Sequence, residues 1–242
     1  MKKVLVVVLA IALTLTMFSA CGKAPAEPKT GEAYSPVHGG NYIGKATVTV
    51  LDGKVTAATL DEACYPTEVQ ATADVAAADK VVVGEGAKAK TYYKTVKFAG
   101  VTAIYDVDTY KVDGVAFKTW ALTEANAKKY FDAVVANDVA VVVGGAEKKD
   151  LMTAKTLLKS QNGYGSAYGF DWAKNKNATV DYVVKNGFGA ASSLTYDKEA
   201  KTWTDSNKVV ATGASWVDMN TVKDGTLSYI KLLNNAFDKV KA

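Results

Sequence analysis

An antiparallel hairpin is the strongest structural signal in this sequence. Residues 41–50 alternate polar and apolar side chains and are rich in β-branched residues, and the same pattern returns over residues 55–60. Asp52-Gly53 lies between them, and this dipeptide accepts the positive φ angles that a tight hairpin turn requires. We therefore expect the folded part of the chain to contain an antiparallel sheet.

Helices are expected to follow these strands. Several short strand patterns lie between residues 95 and 120, where Asp113-Gly114 indicates a second hairpin turn. Further along, the periodicity predicts helices over 124–135, 149–159, 172–185 and 217–240, a buried strand over 139–143, and a short hairpin joining 194–196 to 202–204. Strands grouped before helices are typical of the α+β class, here an antiparallel sheet with packed helices.

The first 20 residues have the order of an export signal. Lys2 and Lys3 precede an apolar run over residues 4–17, and small residues lead to Cys21. The run is shorter than the roughly 20 residues that span a bilayer. Its end resembles the bacterial lipobox, which implies that Cys21 is acylated and becomes the new N-terminus. An ordinary signal peptide with an incidental cysteine is the alternative.

The next segment has the composition of a linker. Residues 22–37 contain three of the four prolines and almost no large apolar side chain, which predicts a flexible tether over residues 21–38. The remaining residues, 39–242, are expected to form the α+β domain. About 200 residues are enough for one core or for two small subdomains.

Composition argues against several classes of function. Without Lys2 and Lys3 the 29 basic residues become 27, against 25 acidic ones, so the chain is near neutral and a nucleic-acid binder is not expected. The single histidine, His38, lies at the edge of the tether, which disfavours a hydrolase triad. No His or Cys spacing predicts a zinc site, while an all-oxygen calcium site among the aspartates is left open.

Cys64 is the second of the two cysteines. Once Cys21 is acylated, Cys64 has no partner for a disulfide within the chain. No histidine or lysine adjoins it in sequence to lower its pKa. A packed thiol is favoured over a nucleophile.

A Gly turn near the C-terminus is the candidate binding motif. Thr212-Gly213-Ala214-Ser215 follows a strand-like run and precedes the start of a predicted helix. Backbone N–H groups in such a turn, beside the positive end of a helix dipole, suit a phosphate. Ser215 and Asp218 also approximate a capping box. The residues alone leave both interpretations open.

These motifs together resemble a known family. The Tyr42-x-Gly44 strand, the Asp52-Gly53-Lys54 turn and the run at 212–215 are similar to the FMN-binding domain of bacterial extracytosolic flavoproteins. That family includes the flavin subunit of the sodium-pumping quinone reductase and lipoproteins of extracellular electron transfer. The resemblance implies that a flavin transferase esterifies Ser215 to the phosphate of FMN. Thr212, Gly213 and Ala214 would then match the rest of the motif.

The resemblance also implies a location and a role. It indicates an extracytoplasmic electron carrier rather than a turnover enzyme, held on a bacterial membrane by lipid on Cys21 and partnered by a membrane redox protein. Family members usually have aspartate three residues before the first hydroxyl, where this chain has Val209. Candidate aromatic surfaces for the flavin ring are Tyr164, Tyr168, Trp172 and Trp216. The alternative is a surface lipoprotein without cofactor that binds a ligand or partner.

Overall fold

The computed structural model describes residues 26–37, 40–164, 172–188, 194–197, 199–200, 202–205, 208–212 and 229–241. Its strands are β1 (Lys29–Val37), β2 (Tyr42–Leu51), β3 (Lys54–Cys64), β4 (Lys80–Val83), β5 (Lys90–Tyr93), β6 (Thr95–Phe98), β7 (Val101–Asp106), β8 (Thr109–Val112), β9 (Val115–Ala116), β10 (Val139–Val143), β11 (Ala146–Lys148), β12 (Thr195–Asp197), β13 (Thr202–Asp205) and β14 (Lys208–Thr212). Its helices are α1 (Phe117–Trp120), α2 (Glu124–Val135), α3 (Ala154–Leu157), α4 (Trp172–Asn186) and α5 (Tyr229–Asp238), with short 3-10 turns at Pro66–Glu68, Ala77–Asp79 and Gly86–Lys88.

The predicted hairpin is the centre of an antiparallel sheet in the order β1-β2-β3. Asp52 and Gly53 join β2 to β3 with φ angles of 50° and 73°, as the Asp-Gly turn requires. A second antiparallel sheet has the order β11-β10-β6-β7-β8-β9. Asp113 and Gly114 form the turn between β8 and β9, with φ angles of 49° and 79°. The α+β class with antiparallel sheets is therefore confirmed.

Strand β1 differs from the prediction, which placed a flexible tether over residues 21–38. Residues 29–37 pair with β2 along their whole length, from Lys29 beside Val50 to Val37 beside Tyr42, and Ala33, Tyr34 and Val37 are buried. The sequence did not predict this strand because it has few large apolar residues. Small residues are needed in β1 where α5 packs closely against it. A Cβ at Gly31 would overlap the carbonyl oxygen of Ala236 in α5.

Helix α2 lies between the two sheets. Thr123 caps it by accepting a hydrogen bond from the Asn126 N–H, and the predicted bounds of 124–135 are confirmed. Tyr130 in α2 packs edge to face on Phe98 and Phe117, with ring centroids 5.1 and 4.9 Å apart. Its hydroxyl donates to the Cys64 carbonyl at 2.6 Å, which fixes α2 to the end of β3.

Helices α4 and α5 pack on the opposite face of the β1-β2-β3 sheet. Their side chains form a second core with those of the sheet: Ala33, Val37, Ala46, Val48, Val50, Leu60, Trp172, Val183, Tyr229, Leu232 and Leu233. A Cβ at Gly44 would lie 2.6 Å from Leu232 Cδ2, so the glycine permits close approach of α5. The sheet is therefore covered by α2 on one face and by α4 and α5 on the other, while the first half of β3 stays largely exposed.

One predicted helix is shorter in the structure, and another is described only in part. The helix expected over 149–159 is a single turn, α3, because Leu158 forms a β-bridge to Ala63 and the Lys159 N–H donates to the Glu62 carbonyl. Of the helix expected over 217–240, residues 229–238 are helical, while 217–228 lie outside the described residues. Within the described part of the chain, each helix is too short or too polar to cross a membrane.

Gly31→Ala is expected to lower the free energy of unfolding by about 1–3 kcal/mol, because the added methyl group forces α5 away from the sheet. Thr30→Ala, at an exposed neighbour in the same strand, is the control and should change it by less than about 0.5 kcal/mol. Urea unfolding followed by tryptophan fluorescence measures both. Equal, negligible effects would show that residues 29–37 do not pack as a strand.

Candidate functional site

The predicted motif reaches the described part of the chain only at its first residue. Thr212 is the last residue of β14. Gly213, Ala214 and Ser215 lie outside the described residues, as do Cys21 and His38. The roles assigned to them therefore stay predictions. The described elements next to the motif are β14, which ends at Thr212, and the helix α4 on which it packs.

A groove runs between α4 and β14, next to this point. Its volume is about 420 Å³, within the range of roughly 300–1,000 Å³ that is typical of small-molecule sites. Helix α4 lines one side with residues from Ala178 to Asn186, and β14 lines the other with Lys208, Val209 and Val210. The strand that ends at Thr212 thus forms one wall of the groove.

A β-bulge shapes this wall. Trp203 pairs with Ala211, but Thr204 pairs with Val209, so Val210 is the extra residue. Bulges turn side chains away from the regular alternation. Trp203 is buried beneath the sheet, whereas Val209 is 60% exposed. Val209 occupies the position where the resembling family has aspartate, so the groove has an apolar side chain there.

The groove combines an apolar strip with charges of both signs. Tyr182 and Ala178 on α4 lie among its lining residues, together with two lysines, Lys185 and Lys208. Asp181 and Asp205 also line it. The aromatic ring and apolar side chains suit a flat ligand, and the two lysines beside the two aspartates offer polar contacts of both signs.

A second candidate is a buried ion pair between Lys159 and Glu62. Both side chains are fully buried and in direct contact. The Lys159 amino group lies 3.7 Å from the ring centroid of Tyr42 and 3.8 Å from that of Tyr164. Trp172 is farther away, at 5.6 Å. The amino group is thus enclosed by a carboxylate and aromatic faces, an arrangement that stabilises a buried cation.

Polar residues surround this pair where β3 ends and α4 begins. Ser160 donates a hydrogen bond to Asp61 at 2.5 Å, and burial raises the pKa of the Asp61 carboxyl. Burial lowers the pKa of Lys176 on the facing turn of α4. Burial also raises the pKa of the Cys64 thiol to about 12. Cys64 therefore stays protonated at neutral pH, which fits a packed thiol rather than a nucleophile.

This arrangement limits which aromatic residues remain for a flavin ring. Trp172 is almost fully buried and its indole N–H donates to the Tyr229 hydroxyl at 2.9 Å. The Tyr164 ring faces Lys159. Tyr168 and Trp216 lie outside the described residues. Trp172 thus belongs to the packed interior and Tyr164 is partly buried against it, while Tyr182, which the sequence did not single out, lines the groove.

Among the described residues, no group of three His, Cys, Asp or Glu side chains is placed to hold a metal ion. Comparison of the chain with protein-family models, curated proteins and solved structures finds no match.

Lys159→Met is expected to lower the free energy of unfolding by about 3–5 kcal/mol, because it leaves the Glu62 carboxylate buried without its cation. The double variant Lys159→Met with Glu62→Leu should recover most of this loss, since two apolar side chains replace both charges. Chemical denaturation curves for the two variants measure the difference.

The control is the exposed pair Lys97–Glu147, in which both side chains are more than 40% accessible. Lys97→Met should cost less than about 1 kcal/mol. If Lys159→Met is as mild as Lys97→Met, the buried pair does not hold this region together.

Proposed function

We propose that this protein is a lipid-anchored, extracytoplasmic flavin-binding electron carrier. The observation that supports it best is the meeting of distant motifs in one core. The strands that contain Tyr42-x-Gly44 and Asp52-Gly53-Lys54 pack against α5, and β14, which ends at Thr212, packs against α4 beside them. Thr212 is thus the last described residue of β14, and Tyr229, the first described residue of α5, is part of this core.

This placement suits a ligand attached between those two points. Ser215, the proposed acceptor of the FMN phosphate, follows Thr212 by three positions in the sequence, and β14, the strand that ends at Thr212, lines the groove. Val209, Val210 and Tyr182 offer a surface for an aromatic ring, and Lys185 and Lys208 offer positive charge near it. The residues present are compatible with a planar, anionic cofactor.

When bound, FMN supplies one- or two-electron transfer, which the polypeptide alone lacks. The contributions assigned to this chain are attachment through Ser215, an apolar wall at Val209, and lysine side chains that favour added negative charge nearby. No residue in the described groove is needed as a general base. The proposed role is thus to carry electrons, with Cys21 and its lipid keeping the carrier at a bacterial membrane.

A cofactor-free binding lipoprotein is the second candidate, and Val209 favours it. The resembling family has aspartate at this position, and here the valine is exposed in an open groove. Such a groove also suits an apolar ligand or a segment of a partner. The absorption spectrum of the purified protein separates the two functions, because only a flavoprotein is yellow.

Ser215→Ala is expected to abolish covalent flavin while leaving the protein folded. The protein is produced in an exporting host that contains a flavin transferase, and its intact mass is measured. The unmodified sequence should gain the mass of FMN minus water, and Ser215→Ala should not. Thr212→Ala is the matched hydroxyl control and should keep the flavin. Flavin that persists on Ser215→Ala but is lost from Thr212→Ala would assign attachment to Thr212 instead.

Val209→Glu is expected to lower the midpoint potential of the bound flavin, because reduction adds negative charge to the ring and a carboxylate in the groove opposes it. At a separation of about 4 Å in water this repulsion is about 1 kcal/mol. Val82→Glu is the matched control, since Val82 in β4 is 59% exposed, Val209 is 60% exposed, and β4 does not line the groove. Spectroelectrochemical titration that gives the same potential for both variants would place the ring outside the groove.

A further inference from the structure

The two ends of the β1-β2-β3 sheet differ in what lies there. At one end, which we call the tether end, β1 starts at Lys29, paired with Val50. The turn at residues 51–54 lies at this same end, because β2 finishes and β3 starts there. At the opposite end, Tyr42 pairs with Cys64, and the 3-10 turn Pro66–Glu68 follows.

The last turns of α4 and α5 also lie at the tether end. Gly31 in β1 approaches Ala236 and Val240, so α5 finishes beside the start of β1. The Phe237 ring stacks on Phe188, just after α4, with centroids 4.8 Å apart. The opposite terminus of α4, at Trp172 and Lys176, faces the Lys159–Glu62 pair at the far end of β3.

Helix α4 thus runs antiparallel to β3, and its second half points towards the tether end. The groove is lined by this half, from Ala178 to Asn186. The groove therefore lies nearer the start of β1 than the Cys64 end of the sheet.

The chain before β1 is short. Seven residues separate Cys21 from Lys29, so the eight steps between them span at most about 26–29 Å even when fully extended. A domain of about 200 residues has a radius of gyration of about 16–17 Å and is therefore roughly 40 Å across. A chain of this length cannot pass around the domain to hold it by the opposite end.

We propose that the tether end docks on the bilayer surface, so that the groove lies on the membrane-proximal half of the domain. The inference rests on the lipid anchor in the proposed function. Exposed lysines at this end, Lys29, Lys54, Lys185 and Lys241, outnumber by one the exposed acidic residues Glu27, Asp52 and Asp238, and this favours an anionic lipid surface. A ligand in the groove then lies within reach of a partner in the membrane plane rather than one in free solution.

The test uses the full chain, processed by an exporting host and reconstituted in vesicles of phosphatidylcholine and phosphatidylglycerol with a headgroup-bound quencher. A fluorophore is attached at Ala57→Cys or at Glu68→Cys, both exposed positions. The seven residue steps along β3 from Ala57 to Cys64 already separate the two labelled positions by about 23 Å. Acylation blocks Cys21, and the buried Cys64 thiol has its pKa raised to about 12, so the label goes to the introduced cysteine.

Several-fold stronger quenching at position 57 than at position 68 is expected. Insertion of a 20-residue Gly/Ser segment after Pro28 should remove most of the difference, because the longer linker no longer restricts orientation. Equal quenching at the two positions, or stronger quenching at 68, would overturn the proposal. A mass that shows Cys21 without acyl chains would overturn it as well.

Repeating the measurement on Ser215→Ala separates this inference from the flavin assignment. If the variant lacks flavin and still shows asymmetric quenching, docking is independent of the cofactor. If neither protein contains flavin but both are quenched at position 57, the electron-carrier function fails and the docked surface stands.

Discussion

Close packing of α5 on the β1-β2-β3 sheet is the contact on which the rest of this structure depends. It needs two positions without side chains, Gly31 against Ala236 and Gly44 against Leu232. The contact joins the first described strand to the last described helix. Helix α4 packs on β3 of the same sheet, and β14 packs on α4, so the groove is connected to this contact through α4. Motifs about 170 residues apart in sequence, Tyr42-x-Gly44 and Thr212, therefore belong to one packed unit.

The buried Lys159–Glu62 pair fixes the other end of that unit. Taking two charges out of water is costly, and only close pairing with additional favourable contacts offsets the cost. Here the tyrosine rings on either side of the amino group supply those contacts. Tyr42 packs against both cores, so the pair ties the region around α2 to the region around α4. The role of the ion pair is structural, because the enclosed Lys159 amino group has few alternative positions.

Local chemistry in the sequence predicted much of this fold. The Asp-Gly turns, the cap at Thr123 and the apolar strand at 139–143 are each decided by nearby residues, and the structure has them where they were predicted. Features that depend on distant contacts were not predictable in this way. Strand β1 was read as a tether because its small residues make sense only once α5 is packed on them. The helix at 149–159 was overestimated because pairing of Leu158 with Ala63 ends it early.

The candidate site likewise has one feature that the sequence predicts and one that it does not. The hydroxyl motif at 212–215 is visible in the sequence because it consists of particular residue types in a row. A groove is not visible, since Tyr182 and Val209 come from different elements and a bulge at Val210 sets the exposure of Val209. In the proposed function, attachment and ring recognition would therefore depend on different residues. Val209 bears on the proposed ring environment and Ser215 on the proposed ester link, so a departure from the resembling family at one position does not decide the other.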